Sequence, residues 1–212
     1  MKILKVTGIS LASLLLLMLL LPVLFPNAFS KQIKAWANDS ITVQLDFAAA
    51  KLSFFSHFPH LTLTLQDYSL TGATPFEKDT LISGKALGFG IDLFSVFGST
   101  IKINRLFIDE SNIKVLIDKN GNANYNILKP TTEKPAEKSD TASANVRLEG
   151  LYLNNCQLDY TDHSVPMAFH AEQLNYVGKG DLQSSQFDLK SKLSAEHFRF
   201  IYDGLTYIND KP

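Results

Sequence analysis

The sequence predicts a mainly β protein in which one N-terminal transmembrane helix is followed by a curved, mostly antiparallel β-sheet. Three observations carry this prediction. Residues 6–25 form an uncharged apolar run, most of the chain after residue 41 alternates between apolar and polar positions, and no strong helical pattern separates the alternating segments. The helix is therefore expected to hold the sheet beside a membrane.

The apolar run at residues 6–25 reads VTGISLASLLLLMLLLPVLF and follows a short tail, residues 1–5, that contains two lysines. Such a helix spans roughly 30 Å, the thickness of a bilayer's hydrocarbon core. A cleaved signal peptide is the alternative, but its apolar region is usually only about 7–15 residues long. We therefore predict an uncleaved anchor. Lysine counts on its two sides are close to equal, so we expect the short tail, rather than the large domain, to stay in the cytoplasm.

Residues 26–40 are predicted to form an amphipathic segment beside the membrane. Ile33 and Trp36 fall on one helical face, and Lys34 lies opposite them. Tryptophan and lysine are typical of the headgroup layer, so Lys34 and Trp36 are the candidate membrane-interface residues. An ordinary connector that packs against the domain explains the same spacing, and the sequence leaves both interpretations open.

Alternation from residue 41 onward predicts about ten strands. The segments ITVQLDF, LTLTL and LGFGIDLF each place their apolar residues on one face, and the phase slips at Asp67, which predicts a bulge. We divide the predicted β-groove into an N-terminal portion, residues 41–128, and a C-terminal portion, residues 146–212. Turns are predicted at Asn120-Gly121, Gly178-Lys179-Gly180 and Asp203-Gly204.

Between the two portions, residues 129–145 are predicted to be a disordered linker. They contain no aromatic residue and no Ile, Leu or Val, and are rich in Pro, Lys, Glu, Ser and Thr. A weak internal repeat crosses this linker with an offset of 45 residues: Leu106-x-Ile108-x4-Ile113-x-Val115 recurs as Leu151-x-Leu153-x4-Leu158-x-Tyr160. Each copy has the pattern of a strand, a short turn and a strand, which predicts a sheet that grows by repeated hairpins.

No residue pattern predicts a catalytic, metal or cofactor site, so we expect a protein that is not an enzyme. Asp162-His163-Ser164 contains the residue types of a hydrolase triad, but adjacent residues cannot converge as a triad requires, and a turn is expected instead. The segment that starts at Asp118 resembles a calcium loop but has Ala123 and Lys129 where that loop needs Gly and Glu. A polar hairpin loop is therefore expected there.

The remaining candidate function is that of an apolar surface. Cys156 is predicted to be a buried structural thiol, and a net charge of −1 with dispersed basic residues gives no indication of nucleic acid binding. The apolar residues build either a closed core or an open face that binds acyl chains at ~0.8 kcal/mol per buried CH₂ group. The candidate lining residues of such a groove are Leu61, Leu63, Leu65, Phe89, Ile91 and Leu93.

Several segments resemble the N-terminal part of AsmA family proteins. After the anchor with its lysines come LDFAAAKLSFFSHFPHLTLTLQDYSLTG, PFEKDTLISGKALGFGIDLFSVFG and TIKINRLFIDESNIKVLIDKNGNANYNIL, and after the linker VRLEGLYLNNCQLDYTD and GDLQSSQFDLKSKLS. The resemblance implies an inner-membrane anchor, a periplasmic domain and a taco-like apolar β-groove related to that of bridge-like lipid transfer proteins. It also implies a role in phospholipid transport or outer-membrane assembly, without catalytic residues or cofactors.

Family members usually continue for several hundred residues beyond this length, which predicts either a truncated gene product or a short module that needs partners. Ten strands at ~4.8 Å spacing reach only about 50 Å when stacked along one axis. The last strand leaves an open sheet edge, and such edges invite pairing with another chain. The expected partners are therefore membrane lipids, with phospholipid as the candidate, and envelope proteins. A scaffold that pairs through this edge and binds no lipid is the alternative function.

Overall fold

The computed structural model shows one open, mixed β-sheet and describes residues 13, 30–31, 33–35, 37–38, 41–57, 60–92, 95, 100–129, 143–180 and 189–210. The prediction of a mainly β chain is confirmed. The ten strands are β1 (Leu45–Asp46), β2 (Ala49–His57), β3 (His60–Thr71), β4 (Thr80–Ile91), β5 (Thr100–Ile117), β6 (Ser143–Asp162), β7 (Met167–Lys179), β8 (Lys190–Ser194), β9 (His197–Tyr202) and β10 (Leu205–Asn209).

The strands are arranged in the order β1-β3-β4-β5-β6-β7-β9-β10. In addition, β2 pairs with β3 beyond the end of β1, and β8 pairs with β7 beyond the end of β9. The pairing of β5 with β6 is parallel, and every other pairing among the described strands is antiparallel. Because β5 and β6 pair directly, the N-terminal and C-terminal portions form a single sheet. Strand β6 begins at Ser143, inside the predicted linker, while residues 130–142 lie outside the described residues.

The parallel pair corrects the prediction of repeated hairpins. Leu106 pairs with Leu151 and Ile113 with Leu158, so the 45-residue offset seen in the sequence is also the pairing register of β5 and β6. Each copy is one continuous strand rather than two strands joined by a turn. In place of the apparent turn, each strand has one residue, Glu110 or the equivalent Asn155, at which the alternation of apolar and polar positions shifts by one residue. We call this shift a change of phase.

Such phase changes lie at one level across the sheet. Four residues share a left-handed backbone conformation and are here called the kink line: Asp67 of β3, Glu110 of β5, Asn155 of β6 and Gln173 of β7. Their φ angles are 48°, 44°, 50° and 48°. The upper half of each strand is the half on the side of His60 and Thr100, and the lower half is the half on the side of Thr71 and Ile117.

The predicted phase slip at Asp67 is confirmed, but its interpretation as a bulge is wrong. Gln66 lies opposite Ala86 and Tyr68 opposite Gly84, so neither strand has an extra residue at this level. A bulge requires two residues on one strand opposite one on its partner. The change of phase is instead shared by β3 and β4, and the pairing continues through it.

Most of the predicted turns are confirmed. Gly121 and Gly204 have positive φ angles of 82° and 74°, the conformation for which glycine is suited. The prediction at Gly178-Lys179-Gly180 is wrong for its first two residues, because Gly178 and Lys179 are still paired with Ser191 and Lys190 of β8.

The loop after β5 crosses the lower end of the sheet and is held by one buried side chain. Asn124, which is fully buried, accepts a hydrogen bond from the Leu116 backbone N–H at 3.0 Å and donates one to the Lys114 carbonyl at 2.7 Å. Further along, the backbone N–H of Thr42 donates to the Ile127 carbonyl at 2.8 Å. The loop therefore connects β5 with the segment that precedes β1.

Ahead of the sheet, the described residues between 30 and 38 are helical. Ala50 donates its backbone N–H to the Ser30 hydroxyl at 3.0 Å, and Leu45 donates its own to the Asn38 side chain at 3.2 Å. The helix thus lies along β1 and β2, antiparallel to them. No helix among the described residues is long and apolar enough to cross a membrane. The predicted span, residues 6–25, lies outside the described residues apart from Ser13.

Replacing Gly84 by alanine tests the close approach of β4 and β5. A Cβ atom at this position would lie 2.6 Å from the Ser111 Cα atom, which is part of the paired backbone. Gly84→Ala should therefore lower the free energy of unfolding by about 1–3 kcal/mol, measured by urea denaturation. Gly178→Ala is the matched control, because its Cβ would meet the hydroxyl end of the Tyr176 side chain at 2.6 Å, which can rotate away. An equal loss in both variants would contradict the close approach.

Candidate functional site

One face of the sheet carries apolar residues from the first strands to the last. Side chains directly opposite each other on paired strands share a face, so the pairing register defines rows that run across the sheet. Three such rows are Leu65-Leu87-Ile108-Leu153-Tyr176-Leu193, Leu70-Ile82-Ile113-Leu158-Ala171-Phe198 and Val115-Tyr160-Phe169-Phe200-Ile208. We call this side of the sheet the apolar face and the other side the outer face.

Exposure of the apolar face increases along the strand order. Leu65 in β3 is 1% exposed, its row partners Leu87 and Ile108 are also buried, and Leu193 at the other end of the row is 64% exposed. Residues of the β6 and β7 rows, such as Leu158 and Phe169, are half-buried. The apolar face is therefore closed near β3 and accessible toward β10.

The helix beside β1 and β2 contributes to the closed end. Ala37 belongs to the buried core, and Ile33 packs against that core. On another side of the helix, the Lys34 ammonium forms an ion pair with Asp46 and lies 5.4 Å from the centre of the Phe47 ring. The structure therefore favours the connector interpretation of this segment, in which its apolar residues pack on the domain.

The predicted site residues lie mainly at the closed end. Leu61 pairs with Ile91, and Leu63 pairs with Phe89, so five of the six candidate lining residues share the apolar face with Leu65. Four of these five are buried and Phe89 is partly buried. Leu93 and Trp36 lie outside the described residues. The roles of these residues in lipid binding, and of Lys34 and Trp36 at a membrane interface, stay predictions.

The accessible part of the apolar face is largely aromatic. Tyr160 and Phe169 stack with ring centroids 4.8 Å apart, and Phe169 lies 6.1 Å from Phe198. In the last two strands, the ring centroid of Tyr207 lies 6.1 Å from that of Phe200 and 6.4 Å from that of Tyr202. None of these residues is among the lining residues predicted from the sequence. The sequence signal that points to them is the alternation of apolar and polar residues in CQLDY, MAFHAEQLNYV and HFRFIY.

The kink line places a buried polar chain in the middle of the apolar face. The Tyr68 hydroxyl donates to the Ser111 hydroxyl at 2.8 Å, which donates to the Asp109 carbonyl at 2.8 Å. Cys156, which is buried as predicted, donates its thiol to the Ile108 carbonyl at 3.3 Å. Burial raises the pKa of Tyr68 to about 12 and also raises the pKa of Cys156, so both groups remain protonated near neutral pH.

The outer face is largely polar in the lower half of the sheet, whereas its upper half carries the stacked rings of Phe107 and Tyr152, whose centroids are 4.9 Å apart. Lys114 pairs with Asp79 at 2.8 Å, and His170 lies between two carboxylates, with its Nδ1 atom 2.5 Å from Asp159 and its Nε2 atom 3.0 Å from Glu172. Hydrogen bonds with Glu172 and then Asp159 raise the pKa of His170 above its usual value of 6.5. A shallow pocket of about 290 Å³ lies at the level of the kink line on β5, β6 and β7.

The two motifs that resembled reactive sites form a turn and a loop, each held by hydrogen bonds to its own aspartate. The Asp162 carboxylate accepts hydrogen bonds from the Ser164 backbone and hydroxyl at 2.8 Å and 2.6 Å, so the predicted turn is confirmed. The Asp118 carboxylate accepts from the backbone N–H groups of Asn120 and Asn122 at 2.8 Å and 2.9 Å, which closes a polar loop. Within the described ranges, no group of three or more His, Cys, Asp or Glu side chains is placed to hold a metal ion.

Comparison with known proteins identifies a family. The model of a family described as the AsmA family matches residues 1–204 of the chain. No curated protein and no solved structure matches the chain significantly.

The surroundings of His170 predict a pH-dependent contribution to stability. Because the pKa of His170 is raised in the folded protein, the stabilisation that its two carboxylate partners provide should be complete below about pH 6.5. It should disappear as the pH rises through the pKa of His170 in the folded protein. His170→Gln should therefore lower the melting temperature more at pH 5.5 than at pH 8.5. The loss should correspond to less than about 1 kcal/mol, because the cluster is largely solvated. His163→Gln, in an exposed turn, is the control, and a loss in His170→Gln that is larger at pH 8.5 would contradict the assignment.

Proposed function

The chain belongs to the AsmA family, and from this membership we propose that it is an inner-membrane-anchored periplasmic module in phospholipid transport or outer-membrane assembly. Residues 6–25 would form the anchor, with the N-terminus in the cytoplasm, and the sheet would hold lipid acyl chains on its apolar face. The matched range includes the apolar run of residues 6–25, which supports an anchor as part of the family's organisation.

The observation that carries this proposal is the exposure of the apolar face toward β10. Tyr202, Leu205, Tyr207 and Ile208 are 41%, 64%, 62% and 47% exposed. Tyr202 and Leu205 continue the row Ile117-Asp162-Met167, and Ile208 pairs with Phe200. Exposed apolar patches of this kind mark binding surfaces more often than isolated exposed residues do. Acyl chains would bury these side chains, and each CH₂ group removed from water would contribute ~0.8 kcal/mol.

Charged side chains are scarce on the lower half of the described apolar face, which supports hydrocarbon as the bound group. In the lower half of β5, β6, β7 and β9, the rows on the apolar face contain one ionisable carboxylate, Asp162, which is occupied by its own turn. No lysine or arginine of these described rows faces the same side. A lipid phosphate would therefore lie outside this surface, with its chains on the apolar rows.

Lipid extraction of the full-length chain purified in detergent tests the proposal. The wild-type chain should carry phospholipid, quantified by mass spectrometry as moles of lipid per mole of protein. The double variant Phe169→Gln/Phe200→Gln should weaken lipid binding by about 1 kcal/mol, or roughly fivefold, because two half-buried rings of the apolar face are lost. The control is Thr206→Gln, which lies on the outer face opposite Ile201.

A wild-type chain without lipid would refute the lipid-binding role. An equal loss of lipid in the double variant and in Thr206→Gln would refute the assignment of binding to the apolar face. Circular dichroism of all three proteins would show that the sheet is intact.

A scaffold function is the second candidate, and the last strand supports it. β10 pairs with β9 on one side, and all five of its residues are exposed. Unpaired backbone groups at such an edge are available to a strand of another protein. Photocrosslinking from Thr206 should capture a protein in envelope membranes if this function holds. Lipid-free purified chain combined with protein crosslinks at β10 would favour the scaffold over the lipid-binding module.

A further inference from the structure

We propose that the kink line bends the whole sheet along one line, so that its four residues position the two halves of the apolar face against each other. Asp67, Glu110, Asn155 and Gln173 would then be positioning residues that set the width of the proposed lipid site. This inference depends on the proposed function only in taking the apolar face as a site that binds lipid. The bend itself is a property of the sheet and can be measured without lipid.

The spacing of residues on the apolar face supports the bend. In a regular strand, residues three positions apart face opposite sides of the sheet. At the kink line they share the apolar face instead, because the left-handed residue between them rotates the strand. The four pairs are Leu65 and Tyr68, Ile108 and Ser111, Leu153 and Cys156, and Ala171 and Leu174.

Neighbouring strands also change phase together. Asp109 pairs with Asn154 and Asn112 with Gln157, so β5 and β6 keep the same register on both sides of the kink line. Between β6 and β7, the pairing register shifts by one residue before Cys156 and shifts back by one residue after it. A bulge confined to one strand would leave a lasting offset. The shared level of the four residues makes the change a property of the sheet.

Residues beside the kink line are buried although the described strands form no second sheet that could cover them. The residues that follow the kink line on the apolar face, Tyr68, Ser111, Cys156 and Leu174, are at most 4% exposed. Leu65 of the upper half and Leu70 of the lower half belong to one core cluster that includes Tyr68. The described strands form a single sheet. A bend at the kink line lets the two halves of the apolar face cover each other.

The outer face shows the other side of the same bend. The shallow pocket at this level is lined by the kink-line residues of β5, β6 and β7, by their outer-face neighbours Asn112, Gln157 and Glu172, and by Ser111 and Cys156. On the outside of a bend, side chains of successive rows diverge and leave space between them. The pocket therefore needs no ligand to explain it.

Distances between spin labels at Lys102→Cys and Lys119→Cys test the bend, in the full-length chain with Cys156→Ala to remove the native thiol. Both positions are exposed; Lys102 lies near the start of β5, and Lys119 lies in the turn two residues after its end. A straight β5 would separate Lys102 from Ile117 by about 50 Å, and we expect a clearly shorter distance between the labels. Asn155→Val should lengthen it, because a β-branched residue rarely adopts a positive φ angle. Asn155→Gly, which accepts that angle, should keep it.

Bound lipid is measured on the same proteins. Asn155→Val should change the lipid content by at least twofold, and Asn155→Gly should leave it unchanged. If wild-type protein contains no lipid, the proposed function fails while the label distances still decide the bend. A distance near that of a straight strand in the wild type, or an unchanged distance in folded Asn155→Val, would overturn the proposal.

If Asn155→Val does not fold, urea denaturation of Asn155→Gly and Asn155→Ala replaces it. In an ordinary strand, glycine is less stable than alanine. At a left-handed position the order reverses, so Asn155→Gly should be at least as stable as Asn155→Ala. The ordinary order would show that the left-handed residue is absent in solution, and the proposal would fall.

Discussion

At the kink line, backbone pairing continues from strand to strand while the strands rotate together. The continuous register from Gln66 and Ala86 to Asp109 and Asn154 requires every neighbour to change phase at the same level. Without this shared change, the residues of the lower half would turn to the outer face, since a shift of one residue exchanges the two faces of a strand. The apolar face of the lower half, including its aromatic residues, therefore depends on the kink line.

From this constraint the gradient of burial follows. At the β3 end, the helical residues Ile33 and Ala37 pack on the apolar face and close it, and the Lys34–Asp46 ion pair holds the helix to β1. Toward β10 the apolar face continues on Leu205 and Tyr207, which are 64% and 62% exposed. One surface thus serves as the core of the fold at one end and as a candidate binding site at the other.

The sequence predicts the strands well, because apolar alternation depends only on which face of a strand is buried. It contains the 45-residue offset of the parallel pair, since equivalent positions of β5 and β6 carry similar side chains, but it does not predict the pairing, because repeated hairpins explain the same repeat. It does not separate a turn from a kink at Glu110, because the four consecutive polar residues from Asp109 to Asn112 fit both. Nor does it distinguish buried Leu63 from accessible Phe200, since exposure depends on which elements cover each part of the face.

Binding of acyl chains to the accessible part of the apolar face can be observed directly by photocrosslinking. A photoreactive amino acid is placed at Phe169 on the apolar face, and separately at the adjacent His170 on the outer face, in membranes that contain the full-length chain. We expect a lipid adduct, identified by mass spectrometry, from position 169 and little or none from position 170. Equal lipid adducts from both positions, or protein adducts alone from position 169, would contradict lipid binding on this face.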